Sequence, residues 1–144
     1  MAVNRLKIAL VPNLTKQDAI LYSSQIIEQL HAYGGEIGIV HNIKEHFPQF
    51  AFLHEFPGEK ELIEYGDIVL SVGGDGTIIR SAKHASLLGK PVLGINLGRL
   101  GFVADLEKDE LGYLQALFQG QYEIQQRMML QVSVQGETVG EEYA

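Results

Sequence analysis

Asp75 is the only carboxylate in "SVGGDGT", Ser71 to Thr77, where Gly73, Gly74 and Gly76 leave it almost without neighbouring side chains at the end of an apolar run. Glycine weakens a strand and costs conformational entropy on folding, so three within four positions imply that something approaches the backbone closely. If a helix opens near Thr77, its first amides are unpaired and carry partial positive charge, which suits a phosphate. Thr77 would cap that helix or donate to a phosphate oxygen. A carboxylate repels phosphate, so Asp75 needs another role. It can take a proton from a substrate hydroxyl, accept a hydrogen bond from a ribose hydroxyl, hold Mg²⁺, or only brace the turn through its own backbone. Arg80, expected in the first helical turn, opposes the helix dipole by roughly 0.3–1 kcal/mol unless a bound phosphate reverses the penalty. The plainer alternative is a solvated arginine paired with a nearby glutamate.

A second cluster, "NLGRLGF" from Asn96 to Phe102, follows the apolar run Pro91 to Ile95. Asn96 carries both a donor and an acceptor suited to a ribose or an amide. Leu100 and Phe102 either wall a base-binding pocket or belong to the core. Both clusters follow strands, and in an open parallel sheet ligands sit beyond the carboxyl ends of the strands. The two loops are therefore expected to face each other across one crevice.

Other chemistries lack their residues. There is no G-x-x-x-x-G-K-[ST] and no G-x-G-x-x-G, so neither a P-loop nor a Rossmann-type oxidoreductase is supported. His41, Glu45 and His46 are spaced H-x-x-x-E-H, one residue longer than the zinc signature H-x-x-E-H. The five histidines are taken as surface or satisfied residues, and no metal ligands are assigned. Glu59, Glu61 and Glu64 form a solvated helix face.

The elements that must position the two loops follow from hydrophobic periodicity. Leu6 to Val11, Glu36 to Val40, Asp67 to Val72 and Pro91 to Ile95 are expected strands. The stretch Thr15 to Gly35 carries Ala19, Ser23, Ile26, Leu30 and Tyr33 on one helical face and stops at Gly34-Gly35. Residues 41–58 show no clean period and are expected to be a variable connection. Short helical patterns follow at Glu59 to Tyr65 and at Thr77 to Leu88, the latter with Ile78, Ala82 and Ala85 inward and a stop at Gly89. "EKDELGYLQALFQG" is expected as a helix with an acidic first turn, Leu111, Leu114 and Phe118 inward and Gly120 as its cap. The fold class is α/β, an open, mainly parallel sheet flanked by helices. "RMMLQVSVQG", Arg127 to Gly136, instead alternates as a strand with one buried face. It suggests an α/β domain over residues 1–122 and the start of a second, β-rich domain over 123–144.

The chain of 144 residues is 46% hydrophobic and 20% charged, ordinary for a globular protein. Its net charge of −7 disfavours bulk electrostatic binding to nucleic acid, so an anionic ligand must be held by local groups. Without cysteine, neither disulfides nor thiolate metal sites are available. The apolar run near the N-terminus is shorter than the roughly 7–15 residues of a secretory signal, and nothing reaches the ~18 of a membrane span. The expected location is the cytoplasm, with no membrane partner.

"GGDGT" followed by "NLGRLGF" resembles the ATP-dependent NAD kinases, and the similarity runs from the Leu6 to Val11 strand through "RMMLQVSV". The first motif is shared with lipid kinases; the second separates the two. The resemblance implies transfer of the ATP γ-phosphoryl group to the 2′-hydroxyl of the adenosine ribose of NAD⁺, giving NADP⁺, with Mg²⁺ or another divalent cation. It implies Asp75 as the catalytic proton acceptor. It also implies cofactor binding by Gly73, Gly74, Asp75, Gly76, Thr77 and Arg80 of the first loop and helix, and by Asn96, Gly98, Leu100, Gly101 and Phe102 of the second loop. Relatives complete the site with an Asn-Glu or Asn-Asp pair from a second domain, so the chain is expected to be an N-terminal part, inactive alone, of an enzyme that forms dimers or tetramers. Two alternatives differ in class. A lipid kinase would need an apolar or basic docking surface, which the charge disfavours. A non-catalytic nucleotide-binding module would keep the loops without the turnover.

Overall fold

Alternation along the first strand, β1 (Lys7–Pro12), sends Ile8 and Leu10 into one hydrophobic cluster and Ala9 into another. The computed structural model describes residues 5–99 and 101–127, and in these β1 lies inside a six-stranded sheet. The strands β2 (Glu36–Val40), β3 (His54–Phe56), β4 (Ile68–Gly73), β5 (Val92–Asn96) and β6 (Leu106–Glu107) complete it in the order β3-β2-β1-β4-β5-β6. Each adjacent pair is parallel. Because both faces are covered, β4 is buried over its whole length and carries no polar–apolar alternation.

The first face is closed by α1 (Ala19–Ala32), whose Ile26, Ile27 and Leu30 pack with Ile8, Leu10, Leu70, Val72 and Ile95. The second is closed by α3 (Glu59–Tyr65) and α4 (Asp75–Leu87), which bring Leu62, Ile63 and Ala85 onto Ala9 and Val69. Each such Leu or Ile, once fully buried, contributes about 1.5–3 kcal/mol. On α3, burial, reinforced by the Glu36 carboxylate, pushes the Tyr65 phenol up to about 12.

The four expected strands and the Glu59 to Tyr65 helix lie within a residue of their expected bounds, and Gly34, Gly89 and Gly120 take the left-handed backbone of helix stops. Elsewhere local hydrogen bonds override the pattern. Helix α1 starts at Ala19 rather than Thr15, because Asn13 Oδ1 accepts from the Thr15 amide at 3.0 Å and hydroxyl at 2.6 Å, and Asp18 turns left-handed with φ 58°. The connection 41–58 contains a short helix, α2 (His41–Lys44), and the edge strand β3. Its aromatics obscured any period because Phe47 and Phe50 point into the core.

Helix α4 opens at Asp75, two residues before the expected start, with Gly74 as the capping residue in extended conformation. Thr77 therefore stands inside the helix and does not cap it, and Arg80 falls in the second turn, where the dipole penalty expected for it fades. Its buried face is Ile78, Ser81 and Ala85 rather than Ala82, because the Ser81 hydroxyl meets the Ser71 hydroxyl of β4 at 2.9 Å. The helix expected over "EKDELGYLQALFQG" is also corrected. Leu106 and Glu107 form β6, a 3₁₀ turn spans Leu111–Leu114, and only α5 (Gln115–Phe118) is α-helical. The acidic residues precede this helix because Glu107 pairs with β5 and its amide donates to Glu110 Oε1 at 2.9 Å. Beyond Arg127, the strand expected to Gly136 lies outside the described residues.

Helix α4 approaches β5 at Gly94, where an added β-carbon would stand 2.8 Å from Ile78 Cγ2. Ile78 is β-branched and stiff, so it cannot swing aside cheaply. Gly94→Ala should cost about 1–3 kcal/mol of unfolding free energy by urea titration, through overpacking.

Candidate active site

The register of the sheet decides which loops meet. Pro12 of β1 lies opposite Val72 of β4, and Gly73 of β4 lies opposite Asn96 of β5, so three loops leave one rim side by side. Between β1 and β4 the chain order reverses direction, which is where open α/β sheets hold ligands.

At this rim Asp75 joins the two glycine loops. Its carboxylate accepts the Phe102 amide at Oδ2 (3.0 Å) and the Val103 amide at Oδ1 (3.3 Å). Asp75 is half-buried, while Gly76 beside it is exposed. Sequence left open a brace through the carboxylate's own turn; here the bracing contact is to the opposite loop. The negative charge lies in the first turn of α4, where the dipole favours it.

Asn96, 1% exposed, spends its side chain inside the second loop. Its Nδ2 donates to the Arg99 carbonyl and, at 2.9 Å, to Glu107 Oε2, while its Oδ1 accepts the Gly98 amide at 3.1 Å. Phe102 is 91% exposed, so the reading that assigns it to the core is corrected. Its amide is held by Asp75, which leaves the ring outside. Leu100 lies outside the described residues. Arg80 extends into solvent and pairs with Glu59 Oε2 at 3.6 Å, and Glu59 Oε1 also meets His84 Nδ1 at 3.3 Å.

Two residues of the site were missed in the sequence. Asn13, at the end of β1, donates from Nδ2 to the Thr77 hydroxyl at 3.0 Å and so ties the first loop to the switch point. Lys16, in the loop that the late start of α1 creates, lies against Gly74, where an added β-carbon would stand 3.3 Å from Nζ. The signal was "PNLTK" directly after a strand, with Asn13 and Thr15 spaced for an Asx turn.

Among the described residues, no three His, Cys, Asp or Glu side chains converge as metal ligands. Asp75 carries one amide on each carboxylate oxygen and keeps the second lone pair of each for a further partner. An apolar cavity of about 290 Å³ between α3 and α4, lined by Glu59, Lys60, Ile63, His84, Leu87 and Leu88, includes no residue of either glycine loop. No helix among the described residues is long and apolar enough to cross a membrane.

A doubly covered parallel sheet with two glycine loops meeting at one carboxylate defines an α/β domain built around its strand-end rim. Residues 8–122 match the ATP-NAD kinase N-terminal domain, and the chain belongs to that family. It is 35% identical over 136 residues to an NAD kinase of Methanoculleus marisnigri, covering 94% of this chain and 47% of that protein. With an NAD kinase of Acetivibrio thermocellus it shares 29% identity over 126 residues, covering 87% and 43%. The chain thus spans less than half the length of these relatives. Its fold is similar to that of a yeast NADH kinase solved in complex with NADH, with a TM-score of 0.67 at 19% identity over 91% of this chain and 41% of that one.

Asn96→Ala would remove three hydrogen bonds made by a buried side chain, to the Arg99 carbonyl, the half-buried Glu107 carboxylate and the exposed Gly98 amide. It should cost about 1–3 kcal/mol, read as a lower urea midpoint.

Proposed function

We propose that the chain is the nucleotide-binding part of an NAD⁺ kinase, which moves the ATP γ-phosphoryl group to the 2′-hydroxyl of the adenosine ribose. The observation that carries this reading is the half-buried Asp75 carboxylate standing between two glycine loops beside the exposed backbone of Gly76. Family membership supplies the reaction class. In the reaction, the hydroxyl proton passes to Asp75, the hydroxyl oxygen bonds to the γ-phosphorus, and the bond from that phosphorus to the bridging oxygen breaks, releasing ADP. Where the transition state is loose the alcohol proton leaves late, so positioning outweighs base strength. Any divalent cation would arrive on the phosphates.

Gly74, Gly76 and Thr77 would present backbone to the nucleotide, with Lys16 as an added cation, while the buried Gly73 would serve the site by leaving room for Thr77. Arg80, itself largely exposed, would leave the half-buried Glu59, which keeps its contact with His84, to reach a phosphate. Asn96, Gly98, Leu100, Gly101 and Phe102 would form the second wall. Residues 1–122 would be this domain and 123–144 the entry to a second one. The 144 residues would bind NAD⁺ without turning it over, and the complete enzyme would work as a cytoplasmic homo-oligomer.

Gly76 offers a test free of the fold. Among the described residues, a β-carbon there meets nothing within 4 Å, and its φ is not left-handed. Gly76→Ala should therefore stabilise the free protein by about 0.4–1 kcal/mol, while shrinking the rise in melting temperature that NAD⁺ produces. Asp75→Asn, in protein with measurable NAD⁺ phosphorylation, should lower kcat far more than NAD⁺ affinity. Equal losses in both would make Asp75 a binding residue instead.

A further inference from the structure

We propose that Gly101 is a positioning residue for Asp75, an inference that rests on the reading of Asp75 as proton acceptor. The absence of a side chain at 101 lets the Phe102 and Val103 amides set where the carboxylate stands. A β-carbon on Gly101 would lie 2.5 Å from Asp75 Oδ1, 3.3 Å from its Cγ and 3.4 Å from Asn96 Cγ. The first distance is closer than any nonbonded carbon–oxygen pair tolerates, so something has to move.

Asn96 cannot give way, because Glu107, Arg99 and the Gly98 amide fix its side chain. Asp75 can. It is the first residue of α4 and only half-buried, so its side chain can rotate toward solvent. Gly98, three residues before Gly101, is different. A β-carbon there would make only an ordinary 3.7 Å contact with Asn96 Oδ1. The requirement at 101 is room for the carboxylate, and an alanine there would push Asp75 off its two amide donors.

The test has two arms. In the 144-residue chain labelled with ¹⁵N, Asp75→Asn and Gly101→Ala should both move the Phe102 and Val103 amide resonances upfield, while most other resonances keep their positions. Unmoved Phe102 and Val103 resonances in Gly101→Ala overturn the proposal. In protein with measurable NAD⁺ phosphorylation, Gly101→Ala should lower kcat by roughly 10- to 100-fold, as expected of a misplaced reacting group, with KM for NAD⁺ changing by less than about 3-fold. Added to Asp75→Asn, the same substitution should have little further effect, because its action runs through that carboxylate. An equal fold-loss in both backgrounds also overturns the proposal. If Asp75→Asn alone leaves turnover intact, the reading of Asp75 as proton acceptor fails, while the resonance arm still decides whether Gly101 positions it.

Discussion

One contact organises this rim of the molecule: a carboxylate at the start of α4 holds two backbone amides from a loop 27 and 28 residues further along the chain. Everything that fixes the ends of that contact is ordinary sheet physics. The parallel register sets Gly73 beside Asn96 and so brings the two loops level. The Ser71–Ser81 hydroxyl pair and the seat of Ile78 over Gly94 hold α4 to the sheet just past Asp75. On the other side, the two-residue strand β6 carries Glu107 to Asn96, and Asn96 shapes the loop that presents the amides. Each support is weak alone. Together they convert a flexible side chain at a helix terminus into an oriented group.

What the sequence disclosed, and what it hid, follows from the range of the forces involved. Strands buried on both faces announce themselves as apolar runs, so β1, β2, β4 and β5 were legible, as was the joint position of the two glycine loops. Helix starts were not, because they depend on single side-chain to backbone bonds such as Asn13 to Thr15, which delays α1, and on Gly74 rather than Thr77 serving as the cap of α4. The edge strands β3 and β6, of three and two residues, are too short to carry a period at all. At the site, the nature of Asp75 as a lone acid between glycines could be seen, but not its partner, since a contact to backbone amides leaves no trace in residue type. Lys16 was hidden for the same reason that α1 was misplaced.

Charge supplies a second constraint. A chain with net charge −7 cannot hold an anion by its overall field, so an anionic ligand at this rim would depend on local groups. Lys16 lies against Gly74, and Arg80 stands exposed on the second turn of α4, paired with the half-buried Glu59. Asp75 would be a liability in such a place if its charge faced the phosphates. Turning it onto the Phe102 and Val103 amides directs the charge across the crevice, toward the loop and away from the glycines that precede it.

The glycines themselves divide by what they leave room for. A side chain at Gly73 would strike Thr77 at 2.9 Å and one at Gly101 would strike Asp75 at 2.5 Å, so the fold needs both bare. At Gly74 the nearest obstacle is the flexible end of Lys16, at Gly98 the contact would be ordinary, and at Gly76 no described residue comes near. Glycine at the start of a helix costs stability relative to alanine, so a position that gains no room for the protein's own atoms is kept bare at a loss. Gly76 is such a position, and it adjoins the one carboxylate that the fold takes most care to aim. Under the function proposed above, the open side of Gly76 is where the nucleotide would stand.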